Sequence, residues 1–144
     1  MIRKIVVPVD FSEASRRAAR HAVEELAPQL QAEVTFVTVL DVGDLRVAMN
    51  AGLHGFESDD DMRRQVREWI EQQFETIESA GDHVKATRDV RRGLPEQELL
   101  EAIREHHADL VVMGAHGISR RTPMGSKAEF VLRNSRVPLL LIRA

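Results

Sequence analysis

The feature that most constrains this chain is an alternation of two periods. Short strand-like runs recur five times, all but the third largely apolar: "IRKIVVPV" at 2–9, "EVTFVTVL" at 33–40, "HVKATRDVR" at 83–91, "ADLVVM" at 108–113 and "VPLLLIRA" at 137–144. Their length and β-branched content read as strands, the third being the least buried. Between them, apolar residues return every three or four positions. Ala14, Ala18, Ala22, Leu26 and Leu30 recur at intervals of four, with Arg16, Arg17, Arg20 and Glu24 facing away. This predicts an amphipathic helix of about 18 residues, with Asp10 and Ser12 as cap-type residues ahead of it. Ser58-Asp59-Asp60-Asp61 opens a second helix, because acidic residues suit the positive helix start. Met62, Val66, Ile70, Phe74 and Ile77 form its stripe beside Trp69, and Ala80-Gly81 stops it. Gly93-Leu94-Pro95 turns into a third helix with Leu99, Leu100, Ala102 and Ile103 as its apolar face. "SKAEFVLRN" at 126–134 makes a short fourth.

The resulting order, β-α-β-α-β-α-β-α-β, predicts an α/β fold: an open five-stranded parallel sheet, helices on both faces, right-handed crossovers. The strands other than the third are largely apolar, as strands covered on both sides should be. One stretch, 41–58, has three glycines and no period, and reads as a loop. The 144 residues suit a single domain, 1–144, with no linker to divide them.

Composition excludes several classes. There is no cysteine, hence no disulfide framework, thiolate metal site or cysteine nucleophile. A net charge of -3 argues against a large nucleic-acid surface. No stretch approaches the roughly 20 apolar residues of a membrane span, and the first apolar run is broken by Pro8 and Asp10. A soluble, cytoplasmic chain is expected.

In open α/β sheets, ligands bind beyond the carboxyl ends of the strands, where strand order reverses. Asp10-Phe11-Ser12 follows the first strand, and "GAHGISRRTPMGS" at 114–126 follows the fourth. If these strands are neighbours at the switch point, Asp10 and the glycine loop face one crevice. Asp10 reads as a helix cap, or as a ligand for a ribose hydroxyl or a metal. Ser126 and Glu129 match a Ser-x-x-Glu capping box. The same helix start, with no side chain at Gly125, also makes an anion site. Arg120 and Arg121 read as phosphate partners or as a solvated pair, and His116 as a ligand contact or a loop residue. The Walker loop, the dinucleotide G-x-G-x-x-G after the first strand and the G-x-S-x-G elbow are all absent. His106 and His107 lie at a helix end and take no catalytic role. The acidic run 59–61 is a helix start rather than a metal cluster.

"IVVPVDFSEASRRAARHA", "RRGLPEQELLEAIREHHADLVVMGAHG" and "GSKAEFVLRNSRVPLLLIR" resemble the universal stress protein family, in order and over almost the whole chain. The resemblance implies strand order 3-2-1-4-5 and a homodimer through the last strand, 137–143. It also implies ATP as ligand, with Mg2+ or Mn2+, through a motif Gly-x2-Gly-x9-Gly-Ser/Thr. Here Gly114, Gly117, Gly125 and Ser126 fit, but seven residues, 118–124, stand where the motif has nine. Carried onto this chain, Asp10 would hold the ribose or a metal, and the Val39 backbone would bond adenine. Pro8 and Met113 would line the base pocket, Val9 would be a further cofactor contact, and Gly114 would lie against the ribose. Gly117, Gly125, Ser126 and the Lys127 backbone would hold phosphates, with His116 and Arg120 as further contacts. The expected function is a nucleotide-binding stress-response protein acting through dimerisation or an unidentified protein partner, with slow hydrolysis at most. A dimeric interaction protein that binds no nucleotide is the alternative. A nucleotidyl-transferring enzyme is disfavoured, because "DFSEAS" after the first strand lacks glycine.

Overall fold

Ile5, Val6 and Val7 are shut from solvent in the middle strand of a five-stranded parallel sheet. The computed structural model describes residues 1–40, 52–53, 55–78, 83–116 and 124–143. Residues 41–51 and 54 of the expected loop at 41–58, the stop at Ala80-Gly81, and Gly117, Arg120 and Arg121 lie outside the described residues. The strands are β1 (Lys4–Pro8), β2 (Glu33–Leu40), β3 (Ala86–Arg92), β4 (Leu110–Gly114) and β5 (Leu139–Ile142), in the order β3-β2-β1-β4-β5. Ile5 pairs with Val34 on one side and Leu110 on the other, so β1 and β4 are neighbours where the order reverses.

Alternation along β1 separates two layers. Ile5, Val7 and Val9 join a core with Ala18, Val23, Phe36, Phe74 and Val112. Val6 joins the other with Val37, Leu99, Ile103, Val111 and Val131. Each fully buried Val, Ile or Phe contributes about 1.5–3 kcal/mol against the entropy of ordering. The first layer is covered by α1 (Glu13–His21) and α2 (Asp59–Glu78), the second by α3 (Pro95–Glu105) and α4 (Ser126–Asn134).

The helix expected after β1 spans its expected length but changes pitch. Beyond α1 it runs through a π-helical turn (Ala22–Leu26) and a last α turn (Ala27–Leu30). Pro28 explains the change. It has no N–H for the preceding turn, and its ring crowds the carbonyl four residues back, so the wider turn relieves both. Helix α2 starts at the acidic run as expected, and two bonds beyond that expectation cap it: Ser58 Oγ accepts from the Asp61 N–H at 3.1 Å, and the Asp61 carboxylate accepts from the Glu57 N–H at 3.1 Å. The opposite end of the sheet from the glycine loop is tied by Asp109, whose Oδ2 accepts the N–H groups of Arg3 (2.9 Å) and Lys4 (3.0 Å). His106, at the end of α3, reaches Asp89 of β3 at 2.7 Å, a structural partner. Among the described residues, no helix is long and apolar enough to cross a membrane.

Candidate functional site

The end of β1 is directed by β2. The Val9 N–H donates to Val37 O at 2.8 Å, and buried Thr38 Oγ donates to Val9 O at 3.1 Å. Asp10 Oδ1 then accepts the Ser12 N–H at 2.9 Å, a side-chain turn of the type aspartate favours. Between them Phe11 takes φ 62°, the left-handed region. Ser12 caps α1, its Oγ accepting the Ser15 N–H at 3.3 Å. Thus Asp10 is not the cap; the serine two residues on takes that place because it directly precedes the helix.

The end of β4 is directed by α1. A Cβ on Gly114 would lie 2.9 Å from the Ala14 carbonyl carbon, the Ala14 Cβ and the Ser15 N. Glycine is therefore required here by the helix packed against it, whatever occupies the crevice. The Ala115 N–H donates to Ile142 O at 2.8 Å, and Ala115 O accepts the Gly125 N–H at 2.6 Å. That second bond closes the base of the loop and sets the start of α4.

The expected capping box at Ser126 does not form. Gly125 occupies the cap position (φ -70°, ψ 159°) and Ser126 is the first helical residue, with no side-chain cap bond. The Gly125–Ala115 bond holds the glycine one place ahead of the serine, so Ser126 and Glu129 fall out of register. The first N–H groups of a helix have no intrahelical acceptor, so this uncapped start presents donors and a positive partial charge.

Both strand ends open onto a cavity of about 440 Å³, within the range of small-molecule sites. Pro8, Val9 and Asp10 line it from β1, Val39 from β2, Met113, Gly114 and His116 from the β4 end, and Gly125, Ser126 and Lys127 from the start of α4. These sequence-expected residues are brought to one place; Gly117 and Arg120 belong to the undescribed part of the loop. Val37, Pro95, Leu99, Ser15, Ala115 and Ala128 complete the lining without having been foreseen. Val37 carried a usable signal, since it lies two residues before Val39 on the same face of β2. Pro95 and Leu99 carried none, because only tertiary packing brings α3 to the crevice.

The chemistry is divided. Val37, Val39, Leu99 and Met113 make an apolar wall suited to a flat, uncharged group. Asp10 supplies a carboxylate, and the α4 start supplies amide donors and positive potential. His116 Nδ1 is buried with no hydrogen-bond partner, an unspent polar atom in the cavity lining. Among the described residues, no group of three or more His, Asp or Glu side chains is placed to hold a metal.

Comparison with known proteins agrees with this architecture. Universal stress protein MJ0531 of Methanocaldococcus jannaschii is 30% identical over 147 residues, covering 99% of this chain and 83% of that one. The solved structure of protein MJ0577 superimposes with a TM-score of 0.80 at 23% identity, over 100% of this chain and 97% of that one. A universal stress protein solved in complex with cAMP gives a TM-score of 0.65 at 24% identity, over 99% and 97%. A sequence model of the universal stress protein family matches residues 1–143, and the chain belongs to that family.

Proposed function

We propose that the cavity binds ATP or a related adenine nucleotide, and that the protein acts through dimerisation or partner contacts rather than fast catalysis. The observation that carries this reading is the joining, in one cavity, of an apolar wall, the Asp10 carboxylate and an uncapped helix start. Adenine suits the apolar wall between Val39 and Met113, where a β2 backbone group would meet its edge. Asp10 would accept from ribose hydroxyls. The N–H groups of Ser126 and Lys127 would hold phosphate, an arrangement that helix starts favour by about 0.3–1 kcal/mol per exposed charge. Mg2+ or Mn2+ fits only as a companion of the phosphates, because Asp10 is the sole carboxylate in the described lining. The related protein solved with cAMP supports the ligand class.

The same structure lends a specific observation to the non-nucleotide alternative: Gly114 is accounted for by α1 alone, and the Gly125 N–H is spent on Ala115. In either case the proposed dimer forms along β5. That edge reads Leu-Leu-Leu-Ile and is half-buried, whereas β3 guards the other edge with Arg88, Asp89, Arg91 and Arg92. Calorimetry with ATP and magnesium on wild type and on Gly117→Val tests the ligand. Saturable binding by wild type, lost in the variant, is expected. No binding by wild type at millimolar ATP contradicts the reading.

A further inference from the structure

Three non-glycine residues among those described have a positive φ: Phe11 (62°), Gln31 (53°) and His107 (51°). Gln31 ends the helix that continues α1, and His107 follows the cap residue of α3. Both stand where chains commonly turn left-handed to leave a helix. Phe11 stands instead ahead of a helix, between the cavity-lining Asp10 and the cap residue Ser12, with its own side chain in the core. For a bulky side chain this conformation is an outlier, and it persists only where surrounding structure over-determines it.

That over-determination is visible. Phe11 is 8% exposed. It meets Trp69 edge-on with centroids 4.8 Å apart, and Phe74 edge-on at 5.5 Å. Arg16 Nε donates to the Phe11 carbonyl at 3.1 Å, and its guanidinium carbon lies 5.7 Å from the ring centre. Arg16 is itself held by Gln73 of α2. So α1 grips the backbone of residue 11 and α2 grips its side chain. The left-handed turn so imposed carries the Ser12 N–H back onto Asp10 Oδ1. Glycine would adopt this turn without strain; phenylalanine adds an anchor.

We infer that Phe11 is the positioning residue of the site: braced by Trp69, Phe74 and Arg16, it sets the Asp10 carboxylate to receive the ribose hydroxyls of the bound nucleotide. This rests on the nucleotide reading above. It makes α2 part of the ribose-recognition apparatus, although none of its residues lines the described cavity.

The test uses Phe11→Gly, which keeps the turn and removes the anchor, and Trp69→Leu, which leaves Phe11 in place, removes one of its ring contacts and guards against a folding failure of the first. Wild type should bind ATP at least roughly tenfold more tightly than 2′,3′-dideoxy-ATP, as for hydrogen bonds to a charged group. In the variants this ratio should fall towards one, with affinity for the dideoxy compound retained. In the ligand-free proteins, the Ser12 amide should exchange at least several-fold faster in the variants, as expected from losing one or both edge-on ring contacts, while the Val6 and Val111 amides stay protected. A ratio unchanged in the variants, equal loss of both affinities, or an unchanged Ser12 amide would overturn the inference. So would a wild type that binds both nucleotides alike, which leaves the binding reading standing. Wild type that binds neither overturns both.

Discussion

A methyl group on Gly114 would press within 2.9 Å of the backbone of Ala14 and Ser15. Neither neighbour is the flexible end of a side chain, so the head of α1 must shift. Gly114→Ala should cost about 1–3 kcal/mol, the usual range for overpacking. Thermal unfolding should register it at roughly 3–4 °C per kcal/mol for a chain of this size. The glycine was legible as a required glycine, but its reason was not. Spacing pointed to a ligand, whereas the neighbour that needs the space comes from a helix a hundred residues earlier. Asp109 was wholly illegible in "ADLVVM", because its partners are the N–H groups of Arg3 and Lys4. Those bonds, Arg3 first, hold its carboxyl below the usual aspartate range. The contribution is complete above the unfolded value of about 4 and is lost as pH falls through the folded one. Asp109→Asn should therefore be less stable than wild type at pH 7, and chemical denaturation should show the gap closing as pH drops below about 4.

Helix ends decide what the elements present to the cavity. Ser12 ends α1 with a side-chain bond, so Ser12→Ala should destabilise by about 1 kcal/mol. Gly125 ends α4 with none. Its backbone angles suit any residue, and an aspartate there would supply the missing acceptor together with a negative charge. Gly125→Asp should hold or raise the melting temperature while removing nucleotide binding, since carboxylate and phosphate compete for the same donors. A variant that is stabilised yet binds ATP normally would show that phosphate does not use the α4 start. The helices themselves were legible from their period. Their fine boundaries were less so: the Ser126-Glu129 pair looked like a cap until the Gly125–Ala115 bond set the register one residue earlier. The π-helical turn was hidden in an unbroken stripe of alanine and leucine, although Pro28 marked its cause.

For the whole molecule, the alternation of periods was enough to specify the layers and crossovers, because few topologies satisfy it. The strand order came from the resemblance, and the sheet agrees with it. The two sheet edges then differ in character. Pro138 O and Ile142 O accept from the Val111 and Ala115 N–H groups, so Leu139 and Leu141 turn their amides outward. Leu141→Pro removes an outward donor and should leave a folded monomer where wild type forms the proposed dimer, read by light scattering after gel filtration. A dimer that survives would place the interface elsewhere. In the proposed site one cavity recognises a base at its apolar wall and phosphates at its helix start, and titration calorimetry on ligand-free protein, comparing MgATP with adenosine and with inorganic tripolyphosphate, separates the two. Saturable ATP binding at one site per chain, with each fragment bound much more weakly, is the predicted result; adenosine binding as tightly as ATP, or no ATP binding at millimolar concentration, would contradict it.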